Sequence, residues 1–147
     1  MTVTFFGHRS VPPFIQTNLE RTVRHLIEHK NADVFYVGNN GDFDAYATNA
    51  LKKLTLEYPH IKYYIVLAYM PRKSNQINGN IDYNNTILPE KIAQSIPKFA
   101  ISKRNDWMLN KSDLVITYIT HTYGGAEKYQ EKAIKQGKMV INIAKNQ

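Results

Sequence analysis

Residues 2–6 are β-branched or aromatic at every position and run into Gly7, the pattern of a buried strand. Pro12 and Pro13 then interrupt regular structure. A helix is predicted over 15–30, because Leu19, Val23, Leu26 and Ile27 recur at helical spacing. Residues 33–37 form a second strand, closed by Gly38-Asn39-Asn40-Gly41. A second helix over 42–58 gathers Phe43, Ala47, Ala50, Leu51, Leu54 and Tyr58 on one face, and Pro59 stops it. A third strand covers 61–68. Periodicity then fails over 70–98, a stretch with Pro71, Pro89, Pro97, Gly79 and five asparagines. It is expected to be a long excursion with one short helix near 90–95, and such loops are usually functional or mobile. Beyond it come a short helix over 102–111 capped by Ser102, a strand over 113–119, a helix over 126–136 ended by Gly137, and a strand over 138–144.

Strands that alternate with helices define a parallel sheet covered on both faces. The expected architecture is a single Rossmann-like α/β domain over 1–147, with a mainly parallel five-stranded sheet. Phe43, Leu51, Leu54, Val115 and Ile141 are its expected core positions.

Composition narrows the chemistry. The 147 residues include no cysteine, which excludes disulfides, thiolate zinc sites and a cysteine nucleophile. Apolar runs such as 63–69 are too short to span a membrane. No basic segment precedes a long apolar stretch at the start, so no signal peptide is expected. The expectation is a cytoplasmic protein without a membrane partner. Net charge is +7, and it is uneven. Residues 1–70 hold seven basic against six acidic side chains, 71–100 four against two, and 101–147 eight against four. That bias favours an anionic partner, either a phosphate ligand or a nucleic acid.

Five of the seven glycines lie in three places: Gly7, Gly38 with Gly41, and Gly124 with Gly125. Each place follows a predicted strand and leads toward a helix. In a parallel α/β sheet the carboxyl ends of the strands share one edge, where ligands bind. Glycine admits close backbone approach, and helix N-termini favour negative charge. The three loops therefore point to an anion site, although tight strand-to-helix turns want glycine in any case. Gly7-His8-Arg9 offers a cation; Asn39, Asn40 and Asp44 offer partners for ribose hydroxyls or base edges. Thr120, Gly124, Gly125 and Ala126 form the last loop, and Arg104 with Asn105 opens the short helix before it. Tyr69 and Arg72, at the start of the excursion, complete the candidate set. A cation at a helix start opposes the helix dipole, which invites a functional reason for Arg104.

No G-x-G-x-x-G and no G-x-x-x-x-G-K-[ST] occurs, so ordinary dinucleotide binding and P-loop hydrolysis are disfavoured. His25, Glu28 and His29 match H-x-x-E-H, but His25 and Glu28 fall opposite the apolar helix face, out of any cleft. No metal and no cofactor is expected.

Thr4-Phe-Phe-Gly-His-Arg9, Val37-Gly-Asn-Asn-Gly-Asp-Phe-Asp-Ala45, Arg104-Asn-Asp-Trp-Met108 with Ser112-Asp113, and Gly124-Gly-Ala126 before a final Val-Ile-Asn-Ile strand resemble the SLOG superfamily. More narrowly they resemble its YpsA-like branch, over nearly the whole chain. The resemblance implies a Rossmann-like fold that handles nucleotides or their derivatives, and a homo-oligomer. The superfamily includes the LOG phosphoribohydrolases, which carry an arginine before the penultimate strand and P-G-G-x-G-T-x-x-E after it. Arg104 matches the first, and Gly124 with Gly125 matches only the start of the second. Tyr123 stands where the proline would be, the next glycine–threonine pair is missing, and Glu127 comes early. Glu131 is the other candidate carboxylate. The expected function is therefore binding of a nucleotide-derived, phosphate-containing small molecule. A LOG-like hydrolase using Glu127 or Glu131 is the alternative, and DprA-like single-strand binding a further one.

Overall fold

The computed structural model describes residues 1–69 and 85–146. Strands β1 (Thr2–Gly7), β2 (Val34–Val37) and β3 (Lys62–Val66) alternate with helices α1 (Ile15–His29) and α2 (Asp42–Glu57). Then come β4 (Thr86–Ile87), α3 (Glu90–Ala93), α4 (Pro97–Lys111), β5 (Leu114–Tyr118), α5 (Gly125–Lys135) and β6 (Met139–Asn142), with a closing 3-10 turn at Ile143–Asn146. All pairings are parallel, in the order β4-β3-β2-β1-β5-β6.

Among the described residues the sheet has six strands, not the expected five. The additional strand, β4, lies inside the stretch read as an excursion. It adds only the pairs Ile65 with Thr86 and Val66 with Ile87, and the Leu67 amide donates to the Ile87 carbonyl at 2.8 Å. Two residues are too few to show a period of two, so the strand leaves no pattern in the sequence. The short helix expected near 90–95 is α3. The expected start of the next helix at Ser102 is also corrected. Helix α4 begins at Pro97, whose fixed φ and missing N–H suit the first helical position. Arg104 thus sits mid-helix, and no conflict with the helix dipole arises there.

Two apolar layers flank the sheet. On one face Ile15, Leu19, Val23, Leu26 and Ile27 of α1 and Phe43, Ala47, Leu51 and Leu54 of α2 pack on Val3, Phe5 and Phe35. On the other, Met108 and Leu109 of α4 and Tyr129 and Ala133 of α5 pack on Phe6, Val66 and Val115. Phe5 and Phe6 separate because successive strand residues point to opposite faces. Of the expected core positions, Phe43, Leu51, Leu54 and Val115 are buried. Ile141 is only half-buried, because β6 is an edge strand. His25, Glu28 and His29 are exposed on α1. Among the described residues no helix is long and apolar enough to cross a membrane.

Candidate functional site

From β1 the chain builds outward to β4, then returns past β1 to place β5 on its other side. The strand order therefore reverses between β1 and β5. The loop after β1 leads to α1 on one face, and the loop after β5 leads to α5 on the other. Diverging loops open a crevice beyond the carboxyl ends of such strands. A cleft of about 510 Å³ lies there. Phe5, Gly7, His8, Arg9, Ser10, Asn40, Asp44, Ile101, Arg104, Asn105, Met108, Thr120, His121, Gly124, Gly125 and Ala126 line it.

The first loop is pinned on both sides. The His8 amide donates to the Tyr118 carbonyl at 3.4 Å, and the Asp42 amide to the Arg9 carbonyl at 2.7 Å. The Val11 amide donates to Asp42 Oδ2 at 3.2 Å. Gly7 is dictated by packing, since a Cβ there would stand 2.3 Å from Phe43 Cγ. Gly38 likewise makes room for two charged groups: its Cβ would meet Asp44 Oδ2 at 2.8 Å and Arg104 Cζ at 3.0 Å. Gly124 and Gly125 differ. A Cβ at either meets nothing within 4 Å, so the start of α5 opens into the cleft.

Arg104 is 2% exposed. Its Nε donates to Asn105 Oδ1 at 2.9 Å, and its Nη1 donates to Asn39 Oδ1 at 3.1 Å and the Val66 carbonyl at 3.4 Å. Burial pulls the guanidinium pKa down, and the neighbouring Asp44 carboxylate opposes that. Arginine stays charged through such a change. Burial pushes the Asp44 carboxyl up to about 6, although the Asn40 amide, donating to Oδ2 at 2.9 Å, and Arg104 both hold it down. Asn40 Oδ1 is buried without a hydrogen-bond partner among the described residues. Native buried polar atoms are rarely left so, and Asn40 lines the cleft.

His8 accepts the Thr120 amide at Nε2, 3.0 Å away, so its proton is on Nδ1. Burial, and then the neighbouring His121, lower the His8 pKa, so the ring is neutral at pH 7. The two imidazoles stack at 3.8 Å with 6° between their planes.

Eleven sequence candidates line the cleft: Gly7, His8, Arg9, Asn40, Asp44, Arg104, Asn105, Thr120, Gly124, Gly125 and Ala126. Gly38, Asn39 and Gly41 are not part of the lining. Gly38 and Asn39 position Arg104, and Gly41 packs against the Arg9 backbone with φ of 99°. Tyr69 is exposed and outside the lining, and Arg72 lies outside the described residues. Glu127, in the first turn of α5, and the exposed Glu131 are not part of the lining either. Among the described residues Asp44 is its one carboxylate. Phe5, Ser10, Ile101, Met108 and His121 are lining residues outside the sequence's candidate set. His121 and Ser10 adjoin residues within it, Met108 lies within the expected helix, and Ile101 enters because α4 begins at Pro97 rather than at Ser102.

The fold is Rossmann-like, with a cleft at the sheet's switch point. A family model for YpsA, the YspA SLOG family, matches residues 3–144, and the chain belongs to that family. No curated protein matches it. Among solved structures it is similar to DNA processing protein A (DprA) from Streptococcus pneumoniae, at 19% identity and a TM-score of 0.66. That likeness covers 95% of this chain and 48% of the other. It is also similar to DNA processing protein A from Helicobacter pylori, described for its single-stranded DNA binding mode, at 18% identity and a TM-score of 0.64. Here 95% of this chain and 63% of the other are covered. The chain thus spans about half to two-thirds of these neighbours, and the likeness is one of fold.

Proposed function

We propose that this protein binds a nucleotide-derived, phosphate-containing small molecule in the switch-point cleft. The observation that carries the reading is the open helix start at Gly124 and Gly125 facing the same cleft as the buried Arg104. Phosphate would take the N–H groups of Gly124, Gly125 and Ala126, which are oriented along the helix axis. Arg104 and Arg9 supply the opposing charge. The unpaired Asn40 Oδ1 and the Asp44 carboxylate are both acceptors, and a ribose hydroxyl is a donor of the kind they lack.

Binding without turnover fits this lining better than hydrolysis. Cleavage of an N-glycosidic bond calls for a carboxylate free to stabilise an oxocarbenium-like centre or activate water. Glu127 and Glu131 are outside the cleft, and Asp44 already engages the Asn40 amide beside Arg104. The test compares adenosine 5′-monophosphate with adenosine by thermal melting. The monophosphate should raise the melting temperature and adenosine should not. Arg9→Ala should remove that rise while leaving the free protein's melting unchanged, because Arg9 is exposed. Chromatography of the same mixtures should show no free adenine. A monophosphate that leaves the melting temperature unchanged at millimolar concentration would sink the reading, and free base would replace it with the hydrolase.

A further inference from the structure

The loop after β5 carries a feature that the phosphate site does not use. His121 stacks on His8 on one side and on Tyr123 on the other, the second pair at 4.0 Å with 27° between planes. The three rings form one column. Its base is fixed twice: the Thr120 amide holds His8 Nε2, and Tyr118 meets the His8 ring edge-on at 6.1 Å and 87°. Tyr118 belongs to the main core and His8 and His121 line the cleft, so the column runs from the core along the cleft wall to Tyr123, which adjoins the lining residue Gly124. Its last ring, Tyr123, is 71% exposed although its inner face rests on His121. The outer face is therefore turned to solvent.

An aromatic face held by a fixed stack, next in sequence to Gly124, is preorganised for another flat ring. We infer that His8, His121 and Tyr123 form a stacking platform for the nucleobase of the ligand, with the base on the outer face of Tyr123. This rests on the phosphate reading above and adds the ligand class: a small nucleotide whose aromatic base is bound, rather than a sugar phosphate. Stacking on an aromatic side chain tolerates any base, because every base has a π-face. The neutral His8 also keeps the foot of the column free of ionic repulsion from His121. A single strand also presents bases beside phosphates, so the probe set must separate the two sources.

Titration calorimetry should compare adenosine 5′-monophosphate, ribose 5-phosphate and a twelve-residue oligothymidylate. The monophosphate is expected to bind about 5- to 150-fold tighter than ribose 5-phosphate, the range of one aromatic–base stack. Tyr123→Phe should keep that ratio. Tyr123→Ala should bring it close to one without changing ribose 5-phosphate binding, and with unchanged melting, since the side chain is exposed. Equal binding of the two small ligands by the wild type would overturn the platform and leave the phosphate site standing. So would a base preference that survives Tyr123→Ala. Failure of both small ligands would overturn the phosphate site and the platform together. Tyr123-dependent binding of the oligonucleotide alone would overturn the small-nucleotide assignment in favour of a single strand.

Discussion

Asp44 departs from the ordinary chemistry of an aspartate because it is buried in the fold. Its folded pKa, about 6, lies above the unfolded value of 3.8. Between those values the folded chain holds a proton that the unfolded chain has lost, so stability falls as pH rises from about 4 to 6 and levels off above. At neutral pH the ionised carboxyl costs up to about 3 kcal/mol, from roughly 1.4 kcal/mol for each pH unit that separates the two values. Urea unfolding of Asp44→Asn across pH 4–8 should show that decline removed and a gain of that order at pH 7. An unaltered pH profile would mean the carboxyl is well solvated. A group that weakens the fold while facing a cleft beside a buried arginine is a candidate for function rather than for stability. The glycines divide by the same kind of argument. Gly7→Ala drives a methyl into the Phe43 ring and should destabilise by ~1–3 kcal/mol through overpacking. Gly125→Ala meets open space and should melt with the wild type while weakening nucleotide binding. The sequence places both in loops after strands. It cannot tell that the first is glycine for an aromatic ring packed against it and the other borders open space, because that depends on which residues the fold brings opposite.

At the scale of elements, helix α2 supports the site by carrying Asp44 on its first turn and burying Phe43, Ala47, Leu51 and Leu54 beneath it. Leu51→Ala should cost roughly 2–5 kcal/mol in chemical denaturation, the range for truncating a buried leucine. An unchanged midpoint would mean that α2 does not anchor the sheet. Helices α1 and α2 are legible in the sequence because their apolar residues recur at helical spacing over four turns and are bounded by Pro13 and Pro59. The sequence pattern cuts α4 short because its first residues, Pro97 to Ile101, bury only Ala100 and carry exposed Lys98 and Phe99. That misplacement hides the real setting of Arg104. The residue lines the cleft, but it is held mid-helix against Asn39, Asn105 and the Val66 carbonyl rather than at a helix start. Strand order is not legible at all. The switch between β1 and β5 depends on which edge receives β5, and local periodicity carries no information about that.

For the whole molecule, a net charge of +7 invites a nucleic-acid reading, and the DprA likeness in fold invites the same. The use of the charges argues otherwise. Of the eight cations in residues 101–147, Arg104 is buried, and Lys132 pairs with Asp106 at 2.6 Å. Lys138 Nζ donates to the Leu109 carbonyl and, at 2.7 Å, to that of Ser112. Lys111 lies over the Trp107 ring at 5.4 Å. Half of the cations of this segment are thus engaged by the fold, and Arg9 and Arg104 are the cations lining the cleft among the described residues. Salt dependence converts this difference into a measurement. A single strand tracked by four or more cations would lose about 50-fold in affinity between 50 and 200 mM salt, from a slope of about 0.7 per neutralised phosphate. A ligand held by two cations and helix amides would lose less than about tenfold on the same relation. Adenosine 5′-monophosphate should therefore show the shallow dependence by calorimetry, and an oligonucleotide should bind no more tightly than the monophosphate at 200 mM. A steep slope, with the oligonucleotide the tighter ligand, would mean that the exposed lysines form a track across the surface and that the cleft is one stop along it.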